Sequence, residues 1–316
     1  MDFLINFLAL GASLAILIWG ADKFVDSSSL LAKKLGINEL TIGLTVVALG
    51  TSAPEIFVGI SSVLNQSENI AMGAVVGSNI SNIALIFGVS CIGIALKPKE
   101  TPIIQLAPFL LSAVVLGITL HDLKVSIVDS ILLLIVFLYF LYVIINNKSE
   151  ANINVPLEKE DQNKSITLLF LTVGLIALIF GSRYAVIYAE KIAILLDISE
   201  LIIGLTIVAI GTSLPELAAT ISAIMKKKTD MVVGNVIGSN VLNITLVVPI
   251  IGFFSNAQLG QVLFSRDYFF MSIATIIFTL VVIIYSKNIS LTKIRFMGVL
   301  FLIGYLGYIL KLSNLI

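Results

Sequence analysis

Gly50-Thr51-Ser52-Ala53-Pro54-Glu55 and Gly211-Thr212-Ser213-Leu214-Pro215-Glu216 are one pattern written twice. Each sets a glycine, two hydroxyls, a proline and a carboxylate into a segment otherwise apolar enough to sit in lipid. An ionisable residue at that depth costs roughly 2.5 kcal/mol or more on insertion scales, so it faces a polar interior and carries function. Pro and Gly together break a helix, and bare carbonyls at membrane depth are tolerated only around a cavity. Two carboxylates in matching frames predict a shared polar site.

The rest of the chain supplies the lipid-soluble frame for that site. Of 316 residues, 58% are hydrophobic and 12% charged, with a mean hydropathy of +1.09; a soluble domain averages about 25% charged. Repeated apolar runs of about 20 residues predict an all-α polytopic membrane protein. The first run has no basic region before it and no small-residue cleavage site after it, so it reads as a retained span. Zero formal net charge argues against a nucleic-acid partner. One Cys91 and one His121 cannot assemble a disulfide or a soft-metal site, and no cofactor is expected.

Ten transmembrane spans are expected, at about 3–33, 39–64, 70–96, 103–120, 125–145, 165–196, 200–225, 231–254, 268–285 and 294–310. The second and seventh are broken, at 50–54 and 211–215. Shifting the chain by 216 − 55 = 161 residues lays Ile37-Asn38-Glu39-Leu40-Thr41-Ile42-Gly43-Leu44-Thr45 on Ile198-Ser199-Glu200-Leu201-Ile202-Ile203-Gly204-Leu205-Thr206. The same frame aligns Gly73 with Gly234, Gly77-Ser78-Asn79 with Gly238-Ser239-Asn240, and Asn82 with Asn243. Two five-helix repeats follow, residues 1–145 and 165–316, joined by a polar linker at 146–164 that reads as flexible. Five spans per half is an odd number, so the halves enter the membrane from opposite sides, the inverted-repeat plan of secondary transporters.

Positive charge orients the chain. With the N-terminus outside, the inner loops hold Lys33, Lys34, Lys97, Lys99, Lys148, Lys159, Lys164, Lys226, Lys227, Lys228, Lys287, Lys293 and Arg295. The outer side then holds Lys124, Lys191, Arg266 and Lys311. Both termini are therefore expected outside, with the linker in the cytoplasm and the protein in the plasma membrane. Asp22, Lys23 and Asp26 read as a solvated interfacial face beside the gate, and Lys226–Lys228 as an inner anchor.

Thr51 and Glu55 lie four apart and share a helical face, as do Thr212 and Glu216, Ser78 and Asn82, and Ser239 and Asn243. Two-fold related halves bring these faces together as a lining of carboxylate, hydroxyl and amide oxygens, with carbonyls of Ala48, Thr51, Ala209 and Thr212 released at the breaks. Oxygen-only ligation suits hard cations. Glu55 and Glu216 supply two negative charges, which one Ca²⁺ neutralises. Ca²⁺ takes about 6–8 oxygens in a flexible shell, whereas Mg²⁺ keeps its water and suits a dehydrating cage poorly. Several Na⁺, or protons on the Glu pair, satisfy the same charge count.

The paired Gly-Thr-Ser-x-Pro-Glu motifs, each followed by Gly-x-x-x-Gly-Ser-Asn-x-x-Asn, resemble the alpha-repeats of the cation/calcium antiporter superfamily, and within it the prokaryotic sodium/calcium exchangers. The resemblance covers both halves. It implies ion sites between spans two, three, seven and eight, with spans one and six sliding against that core to alternate access. It carries the family's ligands onto Thr51, Ser52, Glu55, Ser78, Asn82, Thr212, Ser213, Glu216, Ser239 and Asn243, with the carbonyls of Ala48 and Ala209 at outer sodium positions. Several relatives have Asp at Asn243, and the potassium-dependent branch ties that Asp to potassium; Asn here implies no potassium requirement. Exchange of about three Na⁺ for one Ca²⁺, as in the family, would leave the loaded site with about one positive charge and make transport electrogenic.

Competing readings are weaker. The Gly73/Gly77 and Gly234/Gly238 pairs read as helix-packing faces, and Asn79 and Asn240 as interhelical hydrogen-bonding residues. A passive channel needs a continuous pore, which inverted halves with broken helices do not build. An intramembrane hydrolase needs an activated nucleophile, and Ser52 and Ser213 have no His or Lys partner in their segments. The expectation is a monomeric Na⁺/Ca²⁺ antiporter in the lipid bilayer, not an enzyme, with Ca²⁺/H⁺ exchange as the alternative.

Overall fold

The computed structural model describes residues 2–93, 103–146, 164–197, 211–255, 258–285 and 290–312. Among them every element is a helix, apart from one isolated bridge between Lys124 and Gln258. Lipid offers no water to backbone groups, so runs of this apolarity must satisfy their hydrogen bonds internally. The helices are α1 (Asp2–Leu35), α2 (Glu39–Thr51), α3 (Ala53–Leu64), α4 (Glu68–Gly93), α5 (Ile103–Leu120) and α6 (Ile127–Asn146). There follow α7 (Lys164–Leu195), α8 (Leu214–Met225), α9 (Thr229–Phe254), α10 (Leu263–Ile284) and α11 (Leu291–Leu312). Their starts are written locally. The Asn38 side chain accepts the Thr41 N–H at 2.8 Å and caps α2. Ser126 and Asp129 exchange side-chain and backbone hydrogen bonds across the first turn of α6, a capping box.

Eight of these helices are long and apolar enough to cross a membrane, and α2 with α3 makes a ninth span bent by 43°. α8 is a shorter apolar helix of 12 residues. The expected count of ten rests in part on residues 198–210, which lie outside the described residues, as do the linker from 147 to 163 and Ala209. α10 begins at Leu263, five residues before the expected span. It thereby takes in Arg266, expected in an outer loop, whose guanidinium binds Asp267 at 2.7 Å. Tyr308 of α11 donates to the same carboxylate at 3.2 Å, so the charge is held inside the helical layer.

Helix bounds repeat along the chain. Adding 161 to 53 and 64, the ends of α3, gives 214 and 225, the ends of α8; adding it to 68 gives 229, where α9 begins. α4 and α9 each carry a wide π-helical stretch, at Ser81–Phe87 and Asn243–Val247, and 82 + 161 = 243. Such wide turns concentrate at functional sites.

α4 and α9 form the centre, with 78% and 83% of their apolar windows buried, against 17% for α1 and 28% for α7. α2 lies on α9 at close range: a Cβ on Gly238 would sit 2.5 Å from the Leu44 carbonyl oxygen, and one on Gly43 2.5 Å from that of Met231. Gly234 and Gly238 are therefore a packing face, as expected. Gly73 and Gly77 meet no described residue within 4 Å. Among the described helices, α1 and α7 pack along each other more extensively than any other pair. The interior is unusually polar for so apolar a chain: Glu55, Glu216, Asn79, Asn82, Asn235, Asn240 and Asn243 are all buried, while Leu64, Met225 and Phe254 face outward. That inversion is what a bilayer selects.

Candidate functional site

The break in α2 is set by Ser52, whose ψ of 2° leaves the helical range; Pro54 then falls in the first turn of α3, where its missing N–H costs nothing within the new helix. The missing donor would have reached the carbonyl of Gly50, four residues back. The Ala48 carbonyl, expected to be released, keeps a helical partner in the Ser52 N–H at 2.9 Å, because the helix continues through Thr51 before it bends. Its second lone pair remains usable. Ser213 and Pro215 repeat this arrangement at the start of α8. Glu55 and Glu216 thus both occupy the first turn of a helix, where the N-terminal dipole favours a carboxylate.

The two acids are 3% and 1% exposed, which for a pair of carboxylates demands compensation. Each has a hydroxyl donor. Ser78 of α4 donates to Glu55 Oε1 at 3.2 Å, and Ser52 of the first break reaches across to Glu216 Oε1 at 3.3 Å. The two carboxyls lie close enough to act on each other electrostatically. Thr51 Oγ1 meets Ser239 Oγ of α9 at 3.4 Å. Thr51, Ser52, Glu55, Ser78, Glu216 and Ser239 are therefore linked by hydrogen bonds or carboxylate proximity across α2, α3, α4, α8 and α9.

Asn82 and Asn243 stand at the start of the two wide turns, both buried. Asn243 donates to Asn79 Oδ1 at 3.3 Å, and Asn79 donates to the Asn240 carbonyl at 3.4 Å. Asn79 is thus the interhelical bridge expected of it. The Asn240 amide instead donates within its own helix, to Val236 at 2.6 Å. Thr212 is exposed while Thr51 is fully buried, so the two motifs are not in equivalent surroundings.

Several buried polar atoms at these positions have no partner among the described residues. Among the described residues, Glu55 Oε2, Glu216 Oε2, Asn82 Oδ1 and Asn243 Oδ1 are buried oxygens with no hydrogen-bond partner, and Ser213 Oγ and Asn82 Nδ2 have none either. Buried polar atoms are nearly always paired. Unpaired oxygens on two buried carboxylates, with no cluster of three or more His, Cys, Asp and Glu among the described residues, suit a hard cation better than a thiolate or imidazole site.

A sequence profile described as sodium/calcium exchanger protein matches residues 5–146 and 166–313. This chain belongs to the sodium/calcium exchanger family. It is 30% identical to the sodium/calcium exchanger MaX1 of Methanosarcina acetivorans, over 98% of both chains. It is 35% identical to the inner membrane protein YrbG of Escherichia coli K12, over 84% of this chain and 85% of that one. Among solved structures, the sodium-calcium exchanger NCX_Mj soaked without Na⁺ and Ca²⁺ superposes with a TM-score of 0.81 at 30% identity, covering 96% of this chain and 97% of the other. Like the rest of this exchanger family, the chain is a multi-pass membrane cation/Ca²⁺ antiporter.

Two residues join the exchanger cluster that the motif did not point to. Asn235 Oδ1 accepts from Thr51 at 3.3 Å, and its amide donates to Thr220 of α8 at 3.4 Å. The only sequence signal was a polar residue in the middle of an apolar span; its partner under the 161-residue shift is Ala74, so the repeat hides it.

Proposed function

We propose that this exchanger moves Ca²⁺ against Na⁺ by alternating access, with Glu55 and Glu216 as shared ligands. One observation carries the reading: two acids from corresponding helix breaks are buried at 3% and 1% exposure, each with a carboxylate oxygen left unpaired. The ligand set proposed with them, carried over from the family resemblance, is the hydroxyls of Thr51, Ser52, Ser78, Thr212, Ser213 and Ser239, the amides of Asn82 and Asn243, and the carbonyls of Ala48 and Ala209. Ca²⁺ neutralises the pair; about three Na⁺ exceed it by about one charge, so each cycle moves charge. Competition for the same oxygens couples the fluxes, since only a loaded site is stable enough in the dry core to reorient. Asn at both 82 and 243 leaves no third acid for potassium.

The supporting arrangement is two inverted five-helix repeats, 1–145 and 165–316, around a cytoplasmic linker at 146–164. The protein is a plasma-membrane monomer with both termini outside. The name of the relative MaX1 supports Na⁺ as the counter-ion.

Reconstituted vesicles test this. With protons clamped, an imposed Na⁺ gradient should drive Ca²⁺ uptake in the wild type, and a clamped membrane potential should change its rate. Glu55→Gln and Glu216→Gln should each abolish it. Uptake without a Na⁺ gradient but with a proton gradient would replace Na⁺ by H⁺, and full flux in both mutants would remove the site.

A further inference from the structure

Asn235 sits one turn before Ser239 on the same face of α9 and is 2% exposed. A buried amide has four hydrogen-bonding directions, two N–H donors and two oxygen lone pairs. Donation from Nδ2 to Thr220 Oγ1 at 3.4 Å fixes its orientation. Oδ1 is then aimed at Thr51 Oγ1, 3.3 Å away, and Ser239 Oγ, 3.5 Å away. Thr51 Oγ1 also lies 3.4 Å from Ser239 Oγ and 3.4 Å from the Ala48 carbonyl oxygen.

These four oxygens make four mutual contacts with only two hydroxyl protons among them. At least two contacts therefore have no proton between the oxygens. All four are longer than the usual 2.7–2.8 Å or so of an O–H···O bond. They match a different geometry. Oxygens about 2.3–2.6 Å from a hard cation, at right angles to each other, are about 3.3–3.7 Å apart. Four neutral oxygens at that spacing, with the Ala48 carbonyl already sharing a backbone N–H, suit a monovalent ion better than a divalent one.

We propose that Asn235 Oδ1 is a further ligand of a sodium position bounded by Ala48, Thr51 and Ser239, and that Thr220 positions it. This rests on the antiport reading. Because position 74 is alanine, the other half has no such oxygen, and the two sodium positions are unequal. The Thr51 side is the tighter one, and Na⁺ there is the last to leave.

The experiment measures Na⁺ and Ca²⁺ half-saturation for exchange in the same vesicles, for the wild type, Asn235→Ala, Asn235→Asp and Thr220→Val. Asn235→Ala should raise the Na⁺ value by at least about tenfold while moving the Ca²⁺ value little. Asn235→Asp, which keeps the oxygen, should retain Na⁺ affinity. Thr220→Val should give a smaller shift in the same direction. An unchanged Na⁺ value in Asn235→Ala overturns the assignment, and so does an equal shift for both ions, which marks a structural role. Absence of Na⁺-driven exchange in the wild type overturns the antiport reading itself.

Discussion

At the scale of single residues, the two halves use the same side chains to different ends. Ser52 donates to Glu216 at 3.3 Å, whereas its counterpart Ser213 is buried with no partner for its hydroxyl. Removing a donor from a buried carboxylate costs about 1–3 kcal/mol; removing an unpaired hydroxyl costs nothing of that kind. In ion-free protein, Ser52→Ala should lower the melting temperature and Ser213→Ala should leave it unchanged. With Ca²⁺ added, both should raise the half-saturating concentration if both hydroxyls serve the cation. Equal melting temperatures without ions would mean that the Ser52–Glu216 bond carries no weight. The residues of this cluster were legible because the 161-residue shift exposes them twice. Asn235 was not, because an asymmetric ligand has no echo. The Ala48 carbonyl was misjudged for a local reason: a proline unpairs the carbonyl four residues back, Gly50, and leaves earlier turns intact.

At the scale of elements, sequence gave the helices and missed the seam that joins the outer pair. Apolar length predicts spans because lipid forbids anything else, and the bounds of α1, α5 and α9 fell within a few residues of expectation. Which glycines carry packing could not be read from spacing alone. The seam between α1 and α7 runs over Gly20, Gly174 and Gly181: a Cβ on Gly174 would lie 2.7 Å from the Phe24 backbone nitrogen, and one on Gly20 2.5 Å from that of Leu178. Backbone cannot yield as a side-chain tip does, so Gly174→Ala should destabilise by about 1–3 kcal/mol. Gly11, with nothing described within 4 Å, is the control, and Gly11→Ala should be neutral or slightly stabilising. Thermal melting in detergent checks both. If Gly174→Ala melts with Gly11→Ala, the seam is looser than these distances require.

At the scale of the whole molecule, the two helix breaks are unequally covered. Thr212 is exposed and Thr51 is fully buried, so the start of α8 is less covered than the end of α2. The other end of α8, about 18 Å away, is tied down by charge. Lys226 binds Asp22 at 2.5 Å and Asp26 at 2.6 Å, and Lys228 binds Asp26 at 3.3 Å, fastening α1 to the end of α8. Residues read as an interfacial face and as an anchor are thus partners, a pairing that local sequence context cannot reveal across some 200 positions. The shift places Arg183 opposite Asp22, Ile187 opposite Asp26 and Asn65 opposite Lys226, so the first half has no matching clasp. The aspartates are nearly half exposed, so the clasp is worth roughly 1 kcal/mol, about fivefold in an equilibrium constant, and salt weakens it. Burial holds Lys228 below the ordinary lysine value, with Asp26 opposing. Its folded pKa being depressed, raising pH through that value releases the proton and loosens the contact with Asp26, while any strain from burying the charge is relieved. Lys226→Asn, which copies the first half, should therefore favour opening at this end. A cysteine at Val47, buried one turn beyond Thr51, in a Cys91→Ala background, should then react about fivefold faster with an impermeant thiol reagent applied from the side of Lys226. High salt should raise the rate of the parent and leave that of Lys226→Asn nearly unchanged. Equal labelling of parent and variant at low salt would show that the clasp does not bias access.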